Sequence, residues 1–477
     1  MPRTSSLAAE LGAFAAGFAS ASIPAAVIDS ARVRLADAIG LAVAGSRTAF
    51  ARSIVEGMGD AGAGVCSVLG TGWRLDAPQA ALANGVAIHS DDFDDTMFEA
   101  AVHPSSVLVA AGLAVGEAED AEAGELLSAL VVGYELLIRL CLVAPGALLR
   151  RGFHATSVCG VFAAAAVAAR LMRLDAVRTT HALGIAGSMS SGVLEYLGDG
   201  SSMKRFHPGW AAMCGIQAAR FARAGADGPR FIFEGDRGLY ATFLAGETLA
   251  LPRATEGLGR DWLTQAVATK LYPMCHFIHA FADCALQLRA EHGLRPADVE
   301  RVTCFIARDQ VPVVCEPAGA KARPRTPYEA KFSLPWCMAA ALTRGRIELA
   351  TFEDAALEDA EIAALADRVG YAVDPDSLYP SSFSGRLEIA LKGGRSVGAS
   401  RAAPSGSAAR PAPPEALWTK FRANVAAAGT GIDAFALESR IRAFEGAASV
   451  RALVAAAATA PRAMRGCQDD RLRRQPA

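Results

Sequence analysis

FHATSVCGVFAAAAVAARLM, residues 153–172, places a histidine on a short polar entry and then runs apolar to its end. Alanine is the best helix former, and the run shows none of the strict alternation of a half-buried strand. The same form recurs on either side. HPSSVLVAAGLAVGEAE (103–119) opens with a proline and two serines before an apolar run, as a helix start should. RFHPGWAAMCGIQAARFARAG (205–225) repeats it. Each time a histidine stands at or just before the start of a buried helix. Free N–H groups and a positive dipole end make such starts suitable for carboxylate ligands.

Working outward, helical signals dominate from about residue 5 to 265, with Gly, Pro, Asp and Ser as punctuation. After about residue 295 the texture changes. VERVTCFIA (299–307) alternates like a strand, and GRLEIALKGGRSVGASR (385–401) reads as a hairpin turning at KGGR. Between them SLPWCMAAALTRG (333–345) and LEDAEIAALADRVG (357–370) read as helices. The Pro/Ala/Ser stretch 403–415 reads as a loop, and 416–445 returns to helix. The expectation is a mainly α fold. An all-helical domain comprises residues 1–267 and 411–460, an α+β segment spans 268–410, and 461–477 is a disordered tail.

At 477 residues the chain is too long for one ordinary core. Its 47 basic and 49 acidic side chains leave a net charge of −2, and nothing in that balance points to a nucleic-acid footprint or a polybasic membrane surface. Aromatics make up 7% while Ala and Gly abound, a composition suited to close helix-on-helix contacts. The ten cysteines include no C-x-x-C pair and read as reduced, buried thiols of a cytoplasmic protein. The N-terminal apolar stretch is interrupted by Glu10 and reads as a first helix. The longest apolar runs are too short for a bilayer or carry Glu135 and Arg139.

Three clusters carry candidate chemistry. HSDDFDDTMFEAAVHPS (89–105) packs four aspartates between His89 and His103. An EF-type calcium loop would need Gly and Glu where Thr96 and Val102 stand. Magnesium holding a diphosphate would need a second acidic motif, and none is found. Proton transfer, with Asp92 and Asp95 orienting histidines and hydroxyls, and a plain solvated acidic turn remain open beside these. GDGSSMKRFHPGW (198–210) gathers Lys204, Arg205 and His207 before a helix, a carboxylate receptor in type. ATKLYPMCHFIHAFADC (268–284) gathers Lys270, Cys275, His276 and His279 where the texture changes, and domain junctions favour small-molecule clefts. His89, His103, His154, His207 and His279 all sit in punctuated contexts, which points to a shared site. No dinucleotide or P-loop fingerprint and no pyridoxal-phosphate lysine is visible, so the chemistry is expected from side chains alone, without cofactor or metal.

On these stretches, together with DSARVRLADAIGLAVAGS (29–46) and EAKFSLPWCMAAAL (329–342), the chain resembles the MmgE/PrpD family over roughly residues 5 to 425. That family holds 2-methylcitrate dehydratases, cis-aconitate decarboxylases and iminodisuccinate epimerases. The resemblance implies a large all-helical domain formed by both chain ends, a smaller α+β lid and a homodimer. It implies a cofactor-free site between domain and lid that takes a di- or tricarboxylate. The matching site residues are Asp92, Thr96, His103, His154, Lys204 and Lys270. In that reading His103 is the acid/base at the reacting carbon, and His154 is a second acid/base or a carboxylate holder. Lys204, Arg205 and Lys270 bind carboxylates, Asp92 and Thr96 orient His103 or the substrate, and His207, Cys275 and His276 complete the binding set. The chain departs from the decarboxylase branch at Cys275, where that branch has a histidine, and at Trp336, where it has a tyrosine. TMFEAAVHP (96–104) is also one residue longer. The expected activity is a lyase reaction on a small polycarboxylate. An epimerase of an imino- or amino-dicarboxylate and a catalytically silent carboxylate binder are the alternatives.

Overall fold

The computed structural model describes residues 5–58 and 64–460; the expected disordered tail lies outside the described residues. Six helices, α1 (Ala25–Gly45), α2 (Ala77–His89), α3 (Pro104–Ala118), α4 (Ala123–Leu142), α5 (Gly160–Leu171) and α6 (Phe206–Arg223), share one apolar core. Every residue of α4 from Leu126 to Leu142 is buried, so the helix has no wet face. The Glu135 carboxylate within it accepts from the Thr264 N–H and hydroxyl, both at 2.9 Å, and faces Arg139 at 3.3 Å. Small residues set the contacts. A Cβ on Gly85 of α2 would lie 2.6 Å from the Gly209 Cα of α6, and one on Gly215 would lie 2.5 Å from the Ala164 Cβ of α5. The glycine and alanine content is what lets these backbones touch. The α2–α6 crossing brings His89, at the end of α2, and the Lys204–His207 segment, at the start of α6, to one region.

A two-stranded hairpin, β1 (Cys66–Ser67) and β2 (Arg74–Leu75), sits on the helical body. From residue 224 to 265 the expected helix is mostly missing. Only Leu239–Phe243 forms an α turn, with short 3-10 turns around it. Seven glycines in that stretch make sustained helix costly.

The second core gathers Phe98 and residues from Ala268 to Leu391. Its four-stranded sheet runs β4 (Val369–Val373), β3 (Val299–Ile306), β5 (Gly385–Leu391), β6 (Ser396–Arg401). β3 pairs in parallel with β4 and antiparallel with β5, and β5–β6 is the hairpin expected from KGGR. α7 (His279–His292) and α8 (Leu334–Arg344) pack on each other, and α7 also lies against β5 and β6. The helix expected over 357–370 is a correction. Helix covers Ala360–Ala366, and Val369 already belongs to β4, an edge strand whose weak alternation does not separate it from the preceding helix. α9 (Pro414–Ala427) returns to the first core, where Phe421 lies against Gly40 of α1. The fold is mainly α, as expected. No helix among the described residues is long and apolar enough to cross a membrane, and the nine described cysteines are free and buried.

Candidate active site

The acidic stretch 91–95 is not a solvated turn. All four aspartates are buried, and each has a different partner. Asp91 faces Lys331, whose ammonium also donates to the Asp91 and Pro273 carbonyls at 3.0 and 3.1 Å. Asp92 accepts from Lys204 through Oδ1, and from Lys270 through Oδ2 at 2.9 Å and through its carbonyl at 2.8 Å. Its φ of 49° turns carbonyl and carboxylate to the same ammonium, a left-handed conformation that Asp tolerates better than most residues. Asp94 holds Nδ1 of His89 at 2.8 Å. Asp95 accepts from the Ser105 N–H at 3.0 Å and the Ser105 hydroxyl at 2.6 Å. Lys420 binds the Phe93 carbonyl at 2.8 Å and the Asp37 carboxylate.

Charge follows from these contacts. Burial alone would raise the Asp92 carboxyl, but Lys204 and Lys270 hold it well below the usual range. Asp95 has only Arg34, at 3.9 Å, and burial outweighs it, pushing the carboxyl up to about 6.

His103 stands just before α3, as N-cap to Pro104. Its Nδ1 lies 2.9 Å from the Asp95 carbonyl and 3.2 Å from the Thr96 hydroxyl. A carbonyl can only accept, so Nδ1 carries the hydrogen and Nε2 keeps its lone pair. Burial, with Lys204 and Lys270 nearby, holds this imidazole well below its ordinary range, and hence neutral. The expectation that Asp92 orients His103 is therefore corrected. A backbone carbonyl and Thr96 do so, because both Asp92 oxygens are taken by lysines.

A cavity lies between the two cores. Asp92, Thr96, His103, His154, Lys204, Cys275 and His276 line one part of it, and Leu149, Leu194, Phe277, Val313, Phe332 and Phe383 are among the apolar wall. Four expected residues stand differently. Lys270 is fully buried and spends its ammonium on Asp92, so it steadies the site from beneath. Arg205 stacks on the Tyr328 ring, 3.8 Å from its centroid, and is not in the cavity wall. His207 sits behind His154, and His279 behind His276, their rings 4.3 Å apart. Trp336 packs on Phe352 inside the lid and does not reach the cavity, whereas Cys275 does, its thiol pushed up by burial. Residues 96–104 form a turn in which Met97 pairs with Val102 and Ala101 has φ 53°.

The ligand atoms of His89, Asp92 and Asp94 lie within 4.8 Å of one another, as do those of His89, His103 and His154. A cation on the carboxylates would have to displace two ammoniums from Asp92 and an imidazole from Asp94. That donor set suits the lysines already on it better than Mg²⁺ carrying a diphosphate. Sequence reasoning passed over Lys331, Lys420, the His89–Asp94 pair and Tyr196 of the cavity wall. Lysines set directly before a phenylalanine and close to a tryptophan, in AKFSLPW and WTKFRANV, were the available signal for the first two.

Fold and site together describe a helical body and an α+β region enclosing a cavity lined by histidines, a lysine and a carboxylate. Two family profiles match the chain, the MmgE/PrpD N-terminal domain over residues 9–252 and the MmgE/PrpD C-terminal domain over residues 272–436. The chain belongs to the MmgE/PrpD family. It is similar to a cis-aconitate decarboxylase-like protein, oryM, of Aspergillus oryzae, 28% identical over 79% of this chain and 81% of the relative. It is 31% identical to the cis-aconitate decarboxylase of Homo sapiens, over 74% of this chain and 73% of the relative. It is 27% identical to that of Aspergillus terreus over 92% of both.

Proposed function

We propose that the protein is a lyase that removes carbon dioxide or water from a small di- or tricarboxylate by side-chain acid–base chemistry, without metal or cofactor. The observation that carries this reading is the neutral His103, whose free Nε2 shares a cavity with the Lys204 ammonium and His154. Lys204 gives one hydrogen to Asp92 and can give another to a substrate carboxylate. It then steadies the enolate-like charge that develops next to that carboxylate. His103 moves the proton at the reacting carbon, and His154 serves the far side. The similarity to cis-aconitate decarboxylases favours loss of carbon dioxide over loss of water, even with Cys275 in the wall. A homodimer is part of the same proposal, tested by sedimentation.

The test is a panel of cis-aconitate, citrate, 2-methylcitrate and iminodisuccinate, with and without prior dialysis against a chelator. Turnover that survives the chelator, with release of carbon dioxide or water, is expected. Binding without turnover of any member would make the protein a silent carboxylate binder. Activity lost to the chelator and restored by Mg²⁺ would return the metal reading.

Epimerisation is the second reading. It is favoured by two imidazoles, His103 and His154, with rings 6.2 Å apart on one cavity, of which one would act as base and the other, once protonated, as acid. In D₂O an epimerase would exchange the α-proton and return the same compound class.

A further inference from the structure

His154 and His207 face each other through like atoms. Their Nδ1 nitrogens are 3.1 Å apart, and neither nitrogen has another partner among the described residues. Two bare nitrogens would repel, and two N–H groups would clash. One hydrogen must therefore lie between them, donated by one ring and accepted by the other. The outer nitrogens differ. His154 Nε2 is buried with no partner, on a residue that lines the cavity. His207 does not line the cavity, and its Nε2 has no protein partner but is not sealed off among the buried unpartnered atoms. The backbone fixes the pair. The His154 N–H donates to the Gly192 carbonyl at 2.9 Å, Ser157 Oγ donates to the His207 carbonyl at 3.4 Å, and His207 sits in the first turn of α6.

We propose that His207 is a positioning residue that sets His154 as a proton donor and replaces the proton it gives up until water in the cavity repays it, the two rings forming a relay between water and the cavity. The relay rests on the lyase reading of the same cavity, because it is the acid step of such a reaction that needs a proton. In the donor state His207 Nδ1–H points at His154 Nδ1, so the neutral His154 carries its hydrogen on Nε2. When His154 Nε2–H gives its proton to the substrate carbanion, the proton on His207 Nδ1 crosses to His154 Nδ1, and His207 Nε2 takes one from water, which is left as hydroxide. One proton enters, one leaves, and both rings stay neutral. After product departure, water in the cavity returns a proton to His154 Nε2, the shared hydrogen moves back, and His207 Nε2 gives its own to the hydroxide beside it; the net change is one cavity water converted to hydroxide as the substrate carbanion gains a hydrogen. Charge state and geometry agree, since burial holds both rings below the ordinary histidine range. The titratable neighbours packed on the pair are His89, with its ring 6.0 Å from His154, His103, Lys204, and Tyr196 beside His207. Lys204 adds to the preference for neutral rings.

His207→Asn keeps a polar group near the Nδ1 position but cannot pass a proton through, whereas His207→Leu removes the contact. With the substrate found by the panel, His207→Asn should lower kcat by about tenfold or more, within the reach of positioned acid–base groups, and leave KM within about twofold. In mixed H₂O/D₂O the wild type should give a curved proton inventory, with more than one proton in flight, and His207→Asn a linear one. An unchanged kcat, or an inventory of the same shape in the variant, would overturn the relay. Without any substrate, ¹⁵N-histidine spectra of the wild type should show a hydrogen-bonded Nδ1–Nδ1 pair with His154 protonated on Nε2. A pair seen there while the whole panel is inert would sink the lyase reading and spare the pairing. Absence of the pair would sink the relay whatever the panel gives, and would do so even if both variants fail to fold.

Discussion

The two walls of the cavity are built on different principles. On the helical side, His103, His154 and Lys204 are each tied by hydrogen bonds to residues that fix a proton or a charge. On the lid side, His276 has neither ring nitrogen hydrogen-bonded and lies edge-on to Phe98, while Phe277, Val313 and Phe383 supply shape. Tethered polar groups act on protons with defined geometry, and packed apolar groups sort substrates by fit. On the proposed function, chemistry would belong to the helical wall and selection to the lid.

The largest effect should come from Asp92→Asn, which leaves the Lys204 and Lys270 ammoniums buried without their shared anion. Breaking a buried pair from one side costs ~3–5 kcal/mol. Chemical denaturation should show that loss, together with the disappearance of turnover. A fully stable, active variant would mean that the lysines find other partners and that the two walls are not pinned here.

His103→Gln comes next. Its turnover should fall by at least roughly a hundredfold, within the ~10²–10⁴ range of a positioned acid or base. Its melting temperature should stay within a few degrees, and binding of a substrate-like carboxylate should persist. Normal turnover would strip the helical wall of its chemical role.

Acid should weaken the fold through the neutral histidines. A histidine whose folded pKa lies below its unfolded one takes up its proton more readily when unfolded. Its contribution is therefore lost as pH falls from 6.5 towards the folded value, about 4 for His207. His89, His103, His154, His276 and His279 shift the same way. Asp95, pushed up from 3.8 to about 6, works in the opposite sense, as do Asp37 and Glu135. With the histidines in the majority, the melting temperature should fall between pH 6.5 and 4. A flat profile would show the opposing groups in balance.

Cys275→Ala should have the smallest effect. A lid thiol pushed up by burial is a poor nucleophile, so turnover should stay within about tenfold while relative rates across the panel change. Complete inactivation with folding intact would place chemistry on the lid and erase the contrast between the walls.

Much of the helical wall was legible in the chain because helix starts are local events. A histidine, a proline or small polar residue, then an apolar run is enough to place His103, His154 and His207 at helix N-termini, and all three stand there. The KGGR hairpin is equally local. The β4 edge was not, because it depends on a strand partner distant in sequence, whereas the glycines of 224–265 were a local signal against sustained helix.

The sharpest limit is the acidic stretch 91–95. Sequence by itself determined that four carboxylates would crowd one short segment beside two histidines, and that a chain so apolar had to do something with them. Only the tertiary structure decided which carboxylate met which partner. Lys204, Lys270, Lys331 and Ser105 come from separate elements, and His89 reaches Asp94 only because the chain turns back between them. A buried charge must find a counter-charge or a hydrogen bond, but no spacing along the chain says where.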